Sequence, residues 1–365
     1  MTTLESAPTA TTDAEPDSRG SDAVAERMLQ IANDGAICAL ASIGHELGLF
    51  DVLAGLPPVT SVQLADAAGL DERYVREWLG GIASAGFVTY EPSARTYALR
   101  PDHTAFLTGT SPDNMTRMMR YDALMGLVQP KVVRAFREGG GLSYDDYPGF
   151  HAIQAEESAA VNDRSLVDTV IPVAGVTDRL GAGIDVADVG CGRGHAINLL
   201  ARAFPQSRFW GLDFSAEAIT DARAEAKAWG LRNATFVACD VASPVSEPGS
   251  YDLVTAFDSI HDQAHPATVL ANVHASLRPG GTFLMVDINA SSNLEDNLDL
   301  PWASFLYMIS TSHCMSVSLA QGGDGLGTVW GVQTAERMLH EAGFSDVVVH
   351  ELEEDPFNAY FVART

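Results

Sequence analysis

The spacing of apolar residues changes partway along the chain. From residue 22 to about residue 53, apolar positions recur at helical intervals, at Met28, Ile31, Ile37, Leu40, Ile43 and Leu47. From Ile184 onward, short apolar runs alternate with helical stretches near 194–204, 215–229 and 266–277, and a later helix is predicted at 333–342. Buried strands that alternate with helices predict an α/β domain with a parallel, doubly wound sheet.

Seven segments of the C-terminal half are strand candidates. Five are short buried runs, "IDVADVG", "RFWGLDF", "ATFVACD", "YDLVTAF" and "GGTFLMVDI". Two more, "FSDVVVHEL" and "DPFNAYFVAR", follow the last helix. Residues 105–180 predict helices around the Gly- and Tyr-rich connection "REGGGLSYDDYPGF". We therefore expect a Rossmann-like seven-stranded sheet preceded by a helical layer.

Residues 60–101 predict a winged helix. Thr60 or Ser61 can cap a short helix that ends near Gly69, and Asp71 can cap a second helix that ends at Gly86. The segments "FVTY" and "TYAL" alternate like two strands around the turn "EPSAR". The N-terminal domain is therefore expected to be mainly helical, with a short hairpin.

Charge argues against nucleic acid as a partner of this winged helix. The chain carries a formal net charge of −26, and residues 51–103 contain four arginines against seven acidic residues. A surface that contacts phosphates needs a net basic face. We expect a dimerisation and substrate-roof domain, with neither nucleic acid nor an anionic membrane as the main partner.

Composition also divides the chain. Residues 1–21 are small, polar and Pro-containing, which predicts a disordered tail. The domains expected after it are a winged helix at 22–105, a helical linker and roof at 106–180 and the α/β domain at 181–365. No two of the four cysteines have CxxC spacing, no signal peptide is evident, and the charge-free stretch 300–323 is too polar to span a bilayer. We therefore expect reduced thiols and a cytoplasmic protein.

A glycine-rich loop follows the first strand of the α/β domain. In "DVGCGRG", Gly190, Gly192 and Gly194 allow a tight turn and close approach of a ligand to the backbone, and the helix that follows favours an anionic group. The dinucleotide motif GxGxxG would need a glycine where His195 stands. A pyrophosphate is therefore not the expected ligand.

Two aspartates end the next two strands. Asp213 lies 19 residues after Gly194, close to the offset of about 20 at which a carboxylate meets ribose hydroxyls. Asp240 ends the third strand, where it could accept a hydrogen bond from an adenine amino group. Polar residues at three successive strand ends predict a nucleotide site at the carboxyl edge of the sheet.

The segment "FDSIHDQAHP", residues 257–266, allows three interpretations. A metal site would use His261 and His265 on one helix face, but an Asp follows the first histidine where HExxH has Glu, and Pro266 favours a helix start. The sequence therefore does not predict a metal site in this segment. The two open alternatives are a general base at His261 and a histidine with a purely structural role.

Residues 180–365 resemble the class I S-adenosylmethionine-dependent methyltransferases. The resemblance rests on "DVGCGRG", "GLDFS", "ACD" and "LRPGGTFLMVD". The N-terminal half is similar to the winged-helix dimerisation domain of the small-molecule O-methyltransferases, and the whole chain resembles mycobacterial and actinobacterial methyltransferases that carry that domain. The resemblance implies methyl transfer from S-adenosylmethionine, a homodimer, and a last strand inserted antiparallel beside the sixth.

The resemblance also implies roles for individual residues. The cofactor would contact Asp188, Gly190, Gly192, Gly194, Asp213, Phe214, Asp240, Val241, Phe257 and Asp258. His261 would be the general base and Asp262 would orient it. Where the family usually continues with tryptophan, this chain has Gln263, so the match is partial.

The sequence predicts least about the acceptor, which is the molecule that would receive the methyl group. Tyr121, Met125, Trp302 and His313 are candidate contacts, although such residues are often ordinary core. A hydroxyl acceptor is the leading expectation, and methylation of nitrogen or carbon stays open. Two further alternatives are a winged-helix regulator that responds to S-adenosylmethionine and a scaffold that holds it only as a structural ligand.

Overall fold

The computed structural model describes residues 18–365, with side chains from residue 21 onward. Most of the predicted tail at 1–21 lies outside the described residues. The chain divides into two compact units, the first through Arg100 and the second from Pro101. The helical stretch expected at 106–180 belongs to the second unit.

The first unit contains the predicted helices and hairpin. Its elements are α1 (Ser18–Glu46), α2 (Leu49–Ala54), α3 (Ser61–Ala68), α4 (Glu72–Ser84), β1 (Val88–Glu91) and β2 (Thr96–Leu99). Thr60 forms a capping box with Gln63, and Asp71 accepts the first backbone amides of α4. The single helix expected over 22–53 is divided, because Gly48 adopts a left-handed conformation with φ of 63°.

Helix α1 has an unusual surface. Four large apolar side chains near its start are between 46% and 66% exposed, namely Val24, Met28, Leu29 and Ile31. The core of the unit is formed instead by residues such as Leu53, Trp78 and Ile82, each at most 4% exposed. An apolar helical face of this extent is typical of an interaction surface.

The second unit begins with a helical layer. It contains α5 (Thr104–Leu107), α6 (Met119–Glu138), α7 (Phe150–Ser165), α8 (Ile171–Val173) and α9 (Thr177–Ala182), with a 3₁₀ turn at Tyr144–Asp146 and a π-helical turn at Leu166–Val170. Leu124, Val128 and Phe150 pack together in an apolar core beneath α6 and α7. This layer contains the Gly- and Tyr-rich connection of residues 137–150.

The sheet of the second unit has seven strands in the order β5-β4-β3-β6-β7-β9-β8. These strands are β3 (Asp185–Val189), β4 (Arg208–Asp213), β5 (Ala234–Ala238), β6 (Tyr251–Phe257), β7 (Leu277–Ile288), β8 (Asp346–Leu352) and β9 (Asp355–Arg364). Strands β3 to β7 are parallel, and β9 pairs antiparallel with both β7 and β8. The predicted doubly wound sheet with an antiparallel last strand is confirmed.

Helices connect the strands. They are α10 (His195–Ala203), α11 (Ala216–Ala228), α12 (Pro266–Ser276), α13 (Leu294–Asn297), α14 (Ala303–Ile309), α15 (Met315–Ala320) and α16 (Val332–Glu341), with a π-helical turn at Ser310–Cys314. The chain winds outward from β3 toward β5 on one side and from β6 toward β8 on the other. The direction therefore reverses between β3 and β6, where ligands of open α/β sheets bind.

Candidate active site

A central cleft opens at this reversal point, with about 970 Å³ of space that is partly open to solvent. We use "central cleft" for the space lined by Tyr144, His151, Gln154, Ala155, Ser158, Asn162, Asp188, Gly190, Cys191, Gly192, Arg193, Gly194, His195, Ala196, Asp213, Phe214, Val241, Phe257, Asp258, Ser259, Asp262 and Gln263. Its floor comes from the loops that follow β3, β4, β5 and β6, and its roof comes from the helical layer.

The glycine loop shapes the floor through three left-handed residues. A Cβ on Gly190 would lie 2.5 Å from the Cβ of Ser259, and one on Gly194 would lie 2.4 Å from the ring of Phe236. Around Gly192 nothing lies within 4 Å of such an atom. Gly190 and Gly194 are thus required for packing, whereas Gly192 leaves open space beside the backbone.

Asp213 is held by this loop and by its own helix. One carboxylate oxygen accepts the amide of Gly192 at 2.9 Å, and the other accepts the amide of Ser215 at 2.8 Å. Burial raises the pKa of Asp213, against the two amides, which lower it. The adjacent Phe214 is 53% exposed and lines the cleft beside it.

The third strand end contributes differently from the prediction. Val241 is buried and lines the cleft, as expected of a residue that packs beside a ligand ring. Asp240 is exposed, is not among the lining residues, and accepts the amide of Ala242 at 2.9 Å. Its contact with an adenine amino group remains a prediction.

Two carboxylates of the cleft have strongly shifted pKa values. Burial raises the pKa of Asp188 to about 7, although the hydroxyl of Thr255 donates to it at 2.7 Å. Burial raises the pKa of Asp258 to about 7 as well, and the charge of Asp287 adds to the effect. The Asp258 backbone is left-handed, with φ of 49°, and its Oδ1 has no hydrogen-bond partner in the described chain.

His261 has a different carboxylate partner from the one the sequence suggested. Its Nδ1 lies 2.8 Å from Oδ1 of Asp287, at the end of β7. The same oxygen accepts the indole N–H of Trp330 at 3.0 Å and the amide of Ile288 at 2.8 Å. Burial opposes the imidazolium, but Asp287 and Cys314 together outweigh burial and hold the pKa of His261 well above its ordinary value.

The expectation that Asp262 orients His261 was therefore wrong. Asp262 lines the central cleft and accepts the hydroxyl of Tyr144 at 2.6 Å. His261 is 4% exposed and is not a lining residue, although its charge acts on Asp258, which lines the cleft. His265, the other histidine of the segment, lies 3.9 Å from Asp324.

None of the four candidate acceptor contacts lines the central cleft. His313 is 1% exposed, stacks on Phe150 at 3.8 Å, and has its pKa lowered to about 3 by burial. Tyr121 meets the same Phe150 edge-on. Met125 is core, 5% exposed, and Trp302 stacks on Phe357 at 4.3 Å. Tyr121 and His313 thus meet at Phe150, whereas Trp302 lies against Phe357.

Sequence reasoning missed the roof of the cleft. Tyr144 and the lining residues of α7 carry no motif, so only their position in the fold identifies them. The sequence could have identified Asp287 as a site residue, because it is the acidic residue that follows the fifth strand run "GGTFLMV". Among residues 18–365 there is no cluster of three or more His, Cys, Asp or Glu side chains arranged to hold a metal ion.

Comparison with known proteins identifies two domains in the chain. Residues 180–343 match a methyltransferase domain family, and residues 35–109 match the Rv2258c-like winged HTH domain. The chain therefore joins a winged helix to a methyltransferase domain, and the resemblance to class I methyltransferases is confirmed.

Individual relatives match only in part. A trans-aconitate 2-methyltransferase of Acidovorax sp. (strain JS42) is 30% identical over 141 residues, which cover 38% of this chain and 49% of that protein. The chain thus spans about half the length of such curated relatives.

Solved structures share the whole fold. Human N-acetylserotonin methyltransferase, in complex with SAM, has a TM-score of 0.66 at 18% identity and covers 97% of this chain and 99% of its own. The mitomycin 7-O-methyltransferase has a TM-score of 0.70 at 17% identity, with coverage of 95% and 100%. In the described part of the chain, no helix has the length and apolarity needed to cross a bilayer.

The raised pKa of Asp258 predicts how stability varies with pH. Because its folded pKa exceeds that of a free carboxyl, its contribution to stability is complete below pH 4 and is lost as pH rises through about 7. Asn tolerates the left-handed backbone and has no charge. We expect Asp258→Asn to reduce the loss of unfolding free energy between pH 5 and pH 8 by about 2–4 kcal/mol. Urea unfolding without added ligand measures this, and equal pH dependence in both proteins would contradict it.

Proposed function

We propose that this protein transfers the methyl group of S-adenosylmethionine to a small molecule, most simply to a hydroxyl oxygen. The observation that carries the proposal is the pairing of the open Gly192 backbone with Asp213 at the reversal point of the sheet. It supplies a ribose-binding carboxylate beside a loop that admits close approach of a ligand.

The other residues of the central cleft fit this cofactor. Asp188 and Asp258 are buried carboxylates, which suit the ammonium and sulfonium cations, and one oxygen of Asp258 lacks a partner. Phe214 and Val241 would flank the adenine. When bound, the cofactor supplies a methyl group already activated on sulfur.

The chain's own task is then to position the acceptor and remove its proton. A phenol has a pKa near 10 and is mostly protonated at neutral pH, so a base helps. His261, oriented by Asp287 rather than by Asp262, is the candidate base. Asp287 raises the pKa of His261. The neutral imidazole, which is the form that can accept a proton, therefore predominates only at a higher pH than in a free histidine.

Charge pairing on the winged helix supports a small-molecule acceptor rather than DNA. Arg73 pairs with Glu77, and Arg76 pairs with Glu72, along the helix that would enter a groove. Their positive charges are thus balanced within α4. We place the protein in the cytoplasm, in keeping with the absence of CxxC spacing among its four cysteines.

The first prediction from the proposed function tests cofactor binding. Asp213→Ala should weaken S-adenosylmethionine binding by about 1.5–3 kcal/mol, the scale of a lost hydrogen bond to a charged group. Titration calorimetry measures the change, and Asp240→Ala tests the predicted adenine contact at the neighbouring strand end in the same way. Unchanged affinity in Asp213→Ala would remove this ribose assignment.

The second prediction tests the base. His261→Ala should lower the methylation rate of a neutral phenol about 10²–10⁴-fold and leave cofactor affinity nearly intact. In the wild-type chain the rate should rise with pH through a midpoint above 6.5, because Asp287 raises the pKa of His261.

A conservative variant isolates the role of Asp287. In Asp287→Asn the amide oxygen can keep the three hydrogen bonds that Oδ1 now accepts, but the charge is gone. The rate midpoint should therefore move to lower pH. Asp262→Asn should leave the midpoint nearly unchanged, and the opposite pattern would return the orienting role to Asp262.

The third prediction concerns assembly. We propose a homodimer formed through the exposed apolar face of α1. Light scattering at micromolar concentration should give about twice the chain mass of 38.8 kDa. Met28→Glu with Ile31→Glu should shift the mass toward the monomer, whereas Asn33→Glu, on the other face of the helix, should not. A wild-type monomer would refute the dimer.

A further inference from the structure

Tyr144 occupies a special place in the roof of the central cleft. Its ring lies 5.2 Å from Phe214 and stacks on His151 at 5.6 Å with an interplanar angle of 10°, and all three side chains line the cleft. Its hydroxyl donates to Asp262 on the floor. One side chain therefore spans the cleft from roof to floor.

The turn that carries Tyr144 is fixed on both sides. Before it, the amide of Leu142 donates to the hydroxyl of Ser316 at 2.9 Å. After it, the hydroxyl of Tyr147 donates to the carbonyl of Ser312 at 2.5 Å. Leu142 and Tyr147 are 2% and 3% exposed, so both ends of the turn are buried.

The residues between these anchors form a surface turn, closed by the capping box of Ser143 and Asp146 and by the ion pair of Asp146 with Lys131. Ser143 and Asp145 are exposed, and Tyr144 is only partly buried. Among the described residues, the hydrogen bond that joins Tyr144 to the floor is the one to Asp262. The ring of Tyr144 also packs on Phe150 and His313, and across the cleft it is attached by this hydrogen bond and by its contact with Phe214.

We propose that Tyr144 is a gate over the central cleft, latched shut by its hydrogen bond to Asp262. The proposal rests on S-adenosylmethionine as the ligand of the cleft. Release and entry of the cofactor require the latch to break and the ring to swing away from Phe214. Burial raises the pKa of Tyr144, so the phenol keeps its proton and remains a donor at neutral pH.

A gate has a kinetic signature that an ordinary binding contact lacks. If the hydroxyl holds the cleft shut whether or not cofactor is bound, its removal speeds entry and release equally. Tyr144→Phe should therefore raise both the association and dissociation rate constants of S-adenosylmethionine about tenfold and leave Kd within about twofold. Surface plasmon resonance on immobilised protein, or stopped-flow fluorescence, measures both constants.

Variants of Asp262 provide the matched test. Asp262→Asn keeps an oxygen that accepts from Tyr144, so its rates should stay close to wild type. Asp262→Ala removes the acceptor and should match Tyr144→Phe, and the double variant should add nothing further. Tyr147→Phe loses a hydroxyl contact of the same turn outside the cleft, so it should leave the cofactor rates unchanged.

Each other outcome is decisive. A rise in the dissociation constant through faster release alone would make the hydroxyl a direct cofactor contact and overturn the gate. Equal acceleration in Tyr147→Phe would show general loosening of the turn and overturn the latch. Binding with unchanged rates in Tyr144→Phe removes the gate alone, whereas no binding by the wild-type chain removes the proposed function and the gate with it. Thermal unfolding confirms that each variant is folded.

Discussion

The reversal of strand order between β3 and β6 is the constraint on which the site depends. The chain leaves these neighbouring strands in opposite directions, so their loops separate and leave a crevice at the carboxyl edge. The two loops touch at their base, where the Ser259 hydroxyl donates to the carbonyl of Val189 at 2.7 Å. Gly190 is required there, because any side chain would collide with Ser259.

Burial of carboxylates gives the crevice its chemical character. Asp188, Asp213 and Asp258 line it, and burial raises the pKa of each. Arg193, the permanently charged cation among the lining residues, is paired with Asp221. A cleft of this kind costs stability when empty and favours a cationic ligand, because a nearby positive charge stabilises the ionised carboxylates. The sulfonium of the proposed cofactor has that property.

The helical layer converts an open edge into a covered site. Its core is apolar and packs on Val317, but the face toward the cleft carries Tyr144 and His151. The polar bond from Tyr144 to Asp262 ties this layer to the loop after β6. The same loop carries His261, which turns the other way, toward Asp287. Within one loop, Asp262 thus binds the roof of the cleft, whereas His261, the candidate base, binds Asp287.

The sequence alone determined the sheet, its connecting helices and the floor of the cleft. Strand runs and the polar residues at their ends follow local rules, so the glycine loop, Asp188, Asp213 and Asp258 could be placed at one edge without coordinates. The capped helices and hairpin of the winged helix were equally local, because Thr60, Asp71 and the glycines define their ends.

Only the tertiary structure decided which groups meet across the cleft. Spacing suggested that Asp262 serves its neighbour His261, but adjacent loop residues project apart. The parallel register instead sets Phe257 beside Val286, so the chain that continues into His261 passes the end of β7, where Asp287 stands. Likewise, Tyr144 reaches Asp262 from 118 residues away. Contacts between distant segments depend on packing, and local patterns along the chain carry no information about them.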